Sequence, residues 1–95
     1  MPLALLNLHL QLPGCSSLKE KRSRIRPILA RLHREFNVST AEIDRLDHWH
    51  EAILACAVVS NDAAQCQRVL QTVLEFAEKQ CRDVEVFEAR IEIIP

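Results

Sequence analysis

Hydrophobic and polar positions alternate along the start of the chain. From Leu3 to Leu12, Ala4, Leu6, Leu8, Leu10 and Leu12 fall on one side and Asn7, His9 and Gln11 on the other. A period of two sustained over that length predicts a strand. Pro13-Gly14 breaks it, and the period then lengthens. Ser17-x-x-Glu20 forms a capping box, in which the serine accepts from a first-turn amide and the glutamate reaches back. Leu18, Ile25, Ile28, Leu29, Leu32 and Phe36 follow at helical spacing and define one apolar stripe. Pro27 interrupts the helix's hydrogen-bond ladder, but it lies on the solvent side of the wheel. The helix is therefore expected to survive with a bend and to end at Asn37.

Val38 to Leu46 predicts a second, mixed strand, and Asp47 to His50 a turn. Glu51 to Ser60 is apolar on both faces through Ala52-Ile53-Leu54-Ala55-Cys56-Ala57-Val58-Val59, which suits a central strand. Ser60-Asn61-Asp62 opens a second helix. Its buried stripe is Ala63, Cys66, Val69, Leu70, Val73, Leu74, Ala77 and Cys81, and Leu18 is expected to pack into the core from the first helix. Val84 to Ile94 alternates again, with Phe87, Ala89, Ile91 and Ile93 opposed to Glu88, Arg90 and Glu92.

The order βαββαβ specifies an α+β, ferredoxin-like architecture, read here as a single domain over residues 1–95. Right-handed crossovers place both helices on one face of a four-stranded antiparallel sheet ordered 4-1-3-2. The other sheet face is then left open. The doubly apolar third strand must contribute to that face, so a second copy of the chain is expected to cover it, as a homodimer.

Charge changes the picture at one element. Between Lys19 and Arg34, seven basic residues (Lys19, Lys21, Arg22, Arg24, Arg26, Arg31 and Arg34) face one acid, Glu20, for a net +6. The remaining 79 residues carry −7, and the whole chain −1. Concentrating positive charge on one helix of a near-neutral chain is the electrostatic mark of a polyanionic partner, although a solvated helix face has the same composition. On the helical wheel, Lys19, Arg24, Arg26, Arg31 and Arg34 spread across the solvent arc, and Lys21 and Arg22 flank the apolar stripe.

Other chemistry is sparse. Gly14 is the only glycine, which excludes a Gly-rich phosphate loop. Cys15, Cys56, Cys66 and Cys81 contain no C-x-x-C pair and read as reduced, cytosolic thiols. Cys15 precedes a helix start near Lys19, a setting that activates thiols, but no histidine adjoins it in sequence. His48-x-His50 offers two imidazoles in a polar turn, with Asp44, Asp47 or Glu51 as conceivable zinc co-ligands. Two exposed histidines fit the same pattern without a metal, and none is assigned. Trp49, between them, reads as an interface anchor. The apolar start lacks the basic leader of a signal peptide, and no run reaches membrane-spanning length. The central strands lack the aromatic residues that stack bases in RNA-recognition sheets, so any RNA contact is expected through helix and phosphate.

Leu12-Pro13-Gly14, Ser17-Leu18-Lys19-Glu20-Lys21-Arg22, Phe36-Asn37-Val38-Ser39, Ala41-Glu42 and Val59-Ser60-Asn61-Asp62 together resemble the YlxP-like family, small bacterial proteins of unassigned function. The resemblance spans nearly the whole chain. It implies the ferredoxin-like fold reached independently above, and it supplies no catalytic residues to carry over. It also implies genes adjacent to translation and transcription factors, including a ribosome-binding maturation factor. The paired histidines around Trp49 depart from the family pattern, so a metal site would not be a family trait. The combined expectation is a cytoplasmic, non-catalytic protein without cofactor that meets RNA or the ribosome through its first helix. A homodimeric protein-interaction module is the alternative.

Overall fold

A computed structural model describes residues 2–94. Its elements are β1 (Leu3–Gln11), α1 (Leu18–Phe36), β2 (Ser39–Asp44), β3 (Glu51–Val59), α2 (Ala63–Gln80) and β4 (Glu85–Ile94). The sheet is antiparallel with spatial order β2-β3-β1-β4, the order expected from the crossovers. Its interior row comes from β1 (Ala4, Leu6, Leu8, Leu10) and β3 (Ala52, Leu54, Cys56). Ile25, Ile28 and Leu32 of α1 and Cys66, Leu70 and Val73 of α2 close over that row. Both helices therefore cover one face. The partner pairs Leu3–Val59, Leu5–Ala57, Asn7–Ala55 and His9–Ile53 lie on the other. These open-face residues of β1 and β3 are half-buried apart from Val59, which is exposed.

Local signals explain the helix limits. The Ser17 hydroxyl accepts from the Glu20 amide at 3.0 Å, the serine half of the expected capping box, while the Glu20 carboxylate accepts from the Ser16 hydroxyl and the Arg24 guanidinium instead of reaching back to the cap. Asn37 takes a left-handed conformation (φ 53°) and its amide donates to the His33 carbonyl, ending α1. Pro27 is exposed, and α1 runs through it without a break. In α2 the Asp62 carboxylate caps the Ala64 amide at 2.9 Å.

Several expectations need correction. Ala63, expected in the buried stripe of α2, is exposed at the first turn of that helix. Leu18 is half-buried and lies outside the core cluster, whereas Lys21 is 2% exposed. Position 21 is four residues before Ile25 and seven before Ile28, so the stripe begins on a lysine. Phe87 does not join Ala89, Ile91 and Ile93. His9 pairs with Glu88 and Leu10 with Val86, so a bulge at Phe87 turns its ring out, 60% exposed, edge-on to His9 of the open face. Val86 packs on the core in its place. The second strand stops at Asp44 rather than Leu46, because Arg45 is left-handed (φ 59°) and its amide bonds back to the Asp44 carboxylate.

A candidate polyanion-binding face on the first helix

The seven cations of α1 divide into three groups. Lys21 leaves the surface altogether. Its Nζ donates to the Arg45 carbonyl at 2.6 Å and lies 2.8 Å from Glu42 Oε2. The second approach is too oblique for a hydrogen bond, leaving Glu42 Oε2 without one, so the attraction there is coulombic. A side chain enclosed in this way cannot meet a phosphate. This removes Lys21 from the predicted array.

Arg24 and Arg31 sit on the α2 side of the helix. Arg24 donates to the carbonyls of Pro13 and Asp83 at 2.7 and 3.1 Å and to the Glu20 carboxylate. It thereby ties α1 to the loops that follow β1 and α2, and its role is structural. Arg31 lies over the Phe76 ring, 4.6 Å from the centroid, and pairs with Glu35 at 3.3 Å. Both groups of that pair are roughly two-fifths exposed, so the pair is weak and its guanidinium can be recruited by another anion.

Lys19, Arg22, Arg26 and Arg34 form the third group. All four are exposed, and none has a carboxylate within ion-pair distance among the described residues. Lys19, Arg22 and Arg26, with Ser23 and Pro27, line one shallow depression on the outer face of α1. The rise of about 1.5 Å per residue spreads the four charges over roughly 22 Å of helix. Arg22, placed at the edge of the apolar stripe by the wheel, belongs to this outer face.

One cation of the same surface escaped the sequence reading. Arg82 follows α2 and lines a second cleft with Ser23, Arg24, Pro27, Ile28, Arg31, Gln80, Cys81 and Asp83. Nothing in its immediate sequence signals this. Only the docking of the α2–β4 connection beside α1 brings it there.

The remaining candidates, the thiols and the His48-Trp49-His50 turn, lie apart from one another among the described residues. The Cys15 thiol is 2% exposed and donates to the Ser17 carbonyl at 3.4 Å. All four cysteines are free. Burial pushes the Cys56 thiol up to about 11. Burial also raises Cys81, despite the opposing pull of Arg31. His48 approaches Glu51 at 3.7 Å, and His9 reaches the other oxygen of the same carboxylate at 3.0 Å. Among the described residues, no group of three or more His, Cys, Asp or Glu side chains could hold a metal ion. Trp49 is 47% exposed and lines a shallow depression with Asp47, His48, His50 and Glu51. No helix is long and apolar enough to cross a membrane among the described residues.

Comparison with known proteins agrees with this architecture. A family model described as a protein of unknown function (DUF503) matches residues 3–91. The uncharacterized protein YlxP of Bacillus subtilis (strain 168) is 42% identical over 62 residues, spanning 65% of this chain and 67% of that protein. Among solved structures, a de novo designed protein with ferredoxin fold superposes with a TM-score of 0.59 at 11% identity, covering 99% of this chain and 84% of the design. A second design, Foldit4, gives 0.56 at 15% identity, covering 100% and 98%. SnoaB, a cofactor-independent oxygenase from Streptomyces nogalater, gives 0.53 at 13% identity, covering 99% and 91%. At such identities these likenesses describe the fold alone.

Proposed function

The chain belongs to the DUF503 family of proteins of unknown function, a membership that passes on no activity, and we propose that it is a non-catalytic, cytoplasmic RNA- or ribosome-associated protein binding through α1. The observation that carries this reading is the set of four exposed cations, Lys19, Arg22, Arg26 and Arg34, without carboxylate partners among the described residues and gathered on one helix face. The chain has 13 acidic residues, enough to neutralise them. The three remaining cations of the helix do have partners. Unpaired cations along one line suit phosphates along a backbone, where each contact releases counterions and makes affinity salt-dependent.

The test is co-sedimentation with ribosomal subunits and binding to ribosomal RNA fragments across a salt series. Charge reversal at Arg22, Arg26 and Arg34 should abolish binding, and single reversals should each lower the salt slope by about one. Arg24 is left intact because its carbonyl bonds belong to the fold. Binding by the triple variant equal to that of the unaltered protein rejects the reading.

One further observation supports homodimerisation as a second property. Leu3, Leu5, Ile53, Ala55, Ala57 and Val59 form an apolar patch on the open sheet face, next to the polar Asn7 and His9 of β1, and Phe87 adds an exposed ring beside His9. Patches of this kind are used as interfaces. A second copy, placed sheet against sheet, would bury them at the spacing of about 10 Å typical of stacked sheets. Sedimentation equilibrium should then report a dimer, and Ala55→Lys a monomer with unaltered circular dichroism. A wild-type monomer at all concentrations rejects the interface without touching the RNA reading.

A further inference from the structure

Resting on the RNA reading above, we propose that the ligand of α1 is double-stranded RNA, gripped across its minor groove by two rows of cations. The argument begins with Ser23 and Pro27, which line both depressions on this surface. With Ala30 they form an exposed crest at positions i, i+4 and i+7, made of short, uncharged side chains. On one side stand Lys19, Arg22 and Arg26. On the other stand Arg31 and Arg82, beyond the structurally committed Arg24. From Ser23 to Ala30 the surface is therefore a low neutral ridge between two positive margins, and the exposed Arg34, one turn beyond Ala30 on the same row, closes its far end with a further cation.

A duplex presents the complementary relief, two phosphate strands on either side of a groove. The minor groove of A-form RNA is wide and shallow and lined by 2′-hydroxyls, which a low crest can approach. The Ser23 hydroxyl donates its proton to the Glu20 carbonyl at 2.7 Å, leaving its oxygen free to accept from a 2′-hydroxyl.

Other nucleic acids match less well. The major groove of B-DNA is about 8.5 Å deep and is read by long side chains from the helix that enters it. Serine, proline and alanine do not reach that floor. The minor groove of B-DNA, about 6 Å wide, does not admit a helix about 10–12 Å across. A single strand offers one phosphate row and is held largely by stacking on aromatic rings. No ring lies on the crest. Phe36 and Phe76 pack edge to face with each other, and Phe87 stands against His9 on the open sheet face.

Fluorescence anisotropy with a labelled RNA duplex of about two helical turns, the same strand alone and the matching DNA duplex tests the assignment at fixed ionic strength. The RNA duplex should bind at least about tenfold more tightly than either competitor, without sequence preference. Arg82→Glu should weaken duplex binding about tenfold while leaving the weak single-strand affinity unchanged, because a single strand engages only the outer margin. Arg22→Glu should weaken both. Single-strand binding equal to or tighter than duplex binding, or an Arg82→Glu variant that binds the duplex normally, overturns the two-margin geometry and leaves the RNA reading standing. Equal binding of the DNA duplex overturns the assignment to RNA. Failure to bind any nucleic acid overturns both proposals. Both substitutions are at exposed positions, and an unchanged thermal midpoint confirms that a loss of binding is not a loss of fold.

Discussion

Replacing Lys21 by alanine should destabilise the protein by about 2–4 kcal/mol, the largest effect expected at any charged position. Breaking a buried ion pair from one side costs about 3–5 kcal/mol, because the abandoned charge keeps its desolvation penalty. Here the abandoned group is Glu42, whose side chain keeps 20% of its exposure, which lowers the estimate. The Arg45 carbonyl loses its bond at the same time, and a void opens where the lysine stem lay against the helix stripe. Urea unfolding followed by circular dichroism measures the change. A loss below about 1 kcal/mol would show that the pair contributes no more than a surface bridge. The double variant Lys21→Met with Glu42→Leu should recover most of the loss, since an apolar pair of similar volume avoids desolvation. That recovery separates the charge from the packing.

Leu8→Ala should cost about 3 kcal/mol or more. Leu8 is fully buried at the centre of β1, facing Leu54 of β3 and Ala89 of β4. Such a truncation costs about 2–5 kcal/mol, most where neighbours cannot collapse into the void. Hydrogen-bonded strands on both sides of β1 hold this site open. The thermal midpoint should fall by roughly 4–8 °C per kcal/mol for a chain of this size. Ile53→Ala, a comparable truncation on the half-exposed face of β3, should cost well under half as much. Equal losses at the two sites would mean that the open face is as dry as the core, as it would be inside a tight dimer. Repeating the pair of measurements at several protein concentrations distinguishes that case.

Much of this molecule is legible in its sequence. Period-two alternation located β1, and the capping box at Ser17 and the asparagine at 37 delimited α1. The doubly apolar run at Glu51–Val59 announced a central strand, and the strand order followed from chirality. These features depend on nearest neighbours or on general topology. The misses depend on tertiary contacts. A lysine in the apolar stripe of a helix looks like a surface residue until a carboxylate from β2 is placed opposite it. The bulge at Phe87 leaves no mark on the hydrophobic pattern, since Phe87 alternates correctly with Ala89 and Ile91 in the linear sequence. The basic helix was legible as a concentration of charge, but its division into structural and available cations was not. That division is set by where Pro13, Glu35, Phe76 and Asp83 come to rest.

Both outer strands of the sheet carry an irregularity. Ile43 is the extra residue in β2, where Glu42 pairs with Leu54 and Asp44 with Ile53, and Phe87 is the extra residue in β4. Bulges twist an edge away from the straight template that an incoming strand needs, and Glu85, Glu88 and Glu92 against the single Arg90 leave β4 charged and net negative. Strand-by-strand growth into fibres is thereby disfavoured at both ends of the sheet. With an apolar patch on the open sheet face and both edges blunted, the proposed face-to-face association would stop at a closed pair. At high concentration the protein should remain a finite, soluble particle instead of a gel.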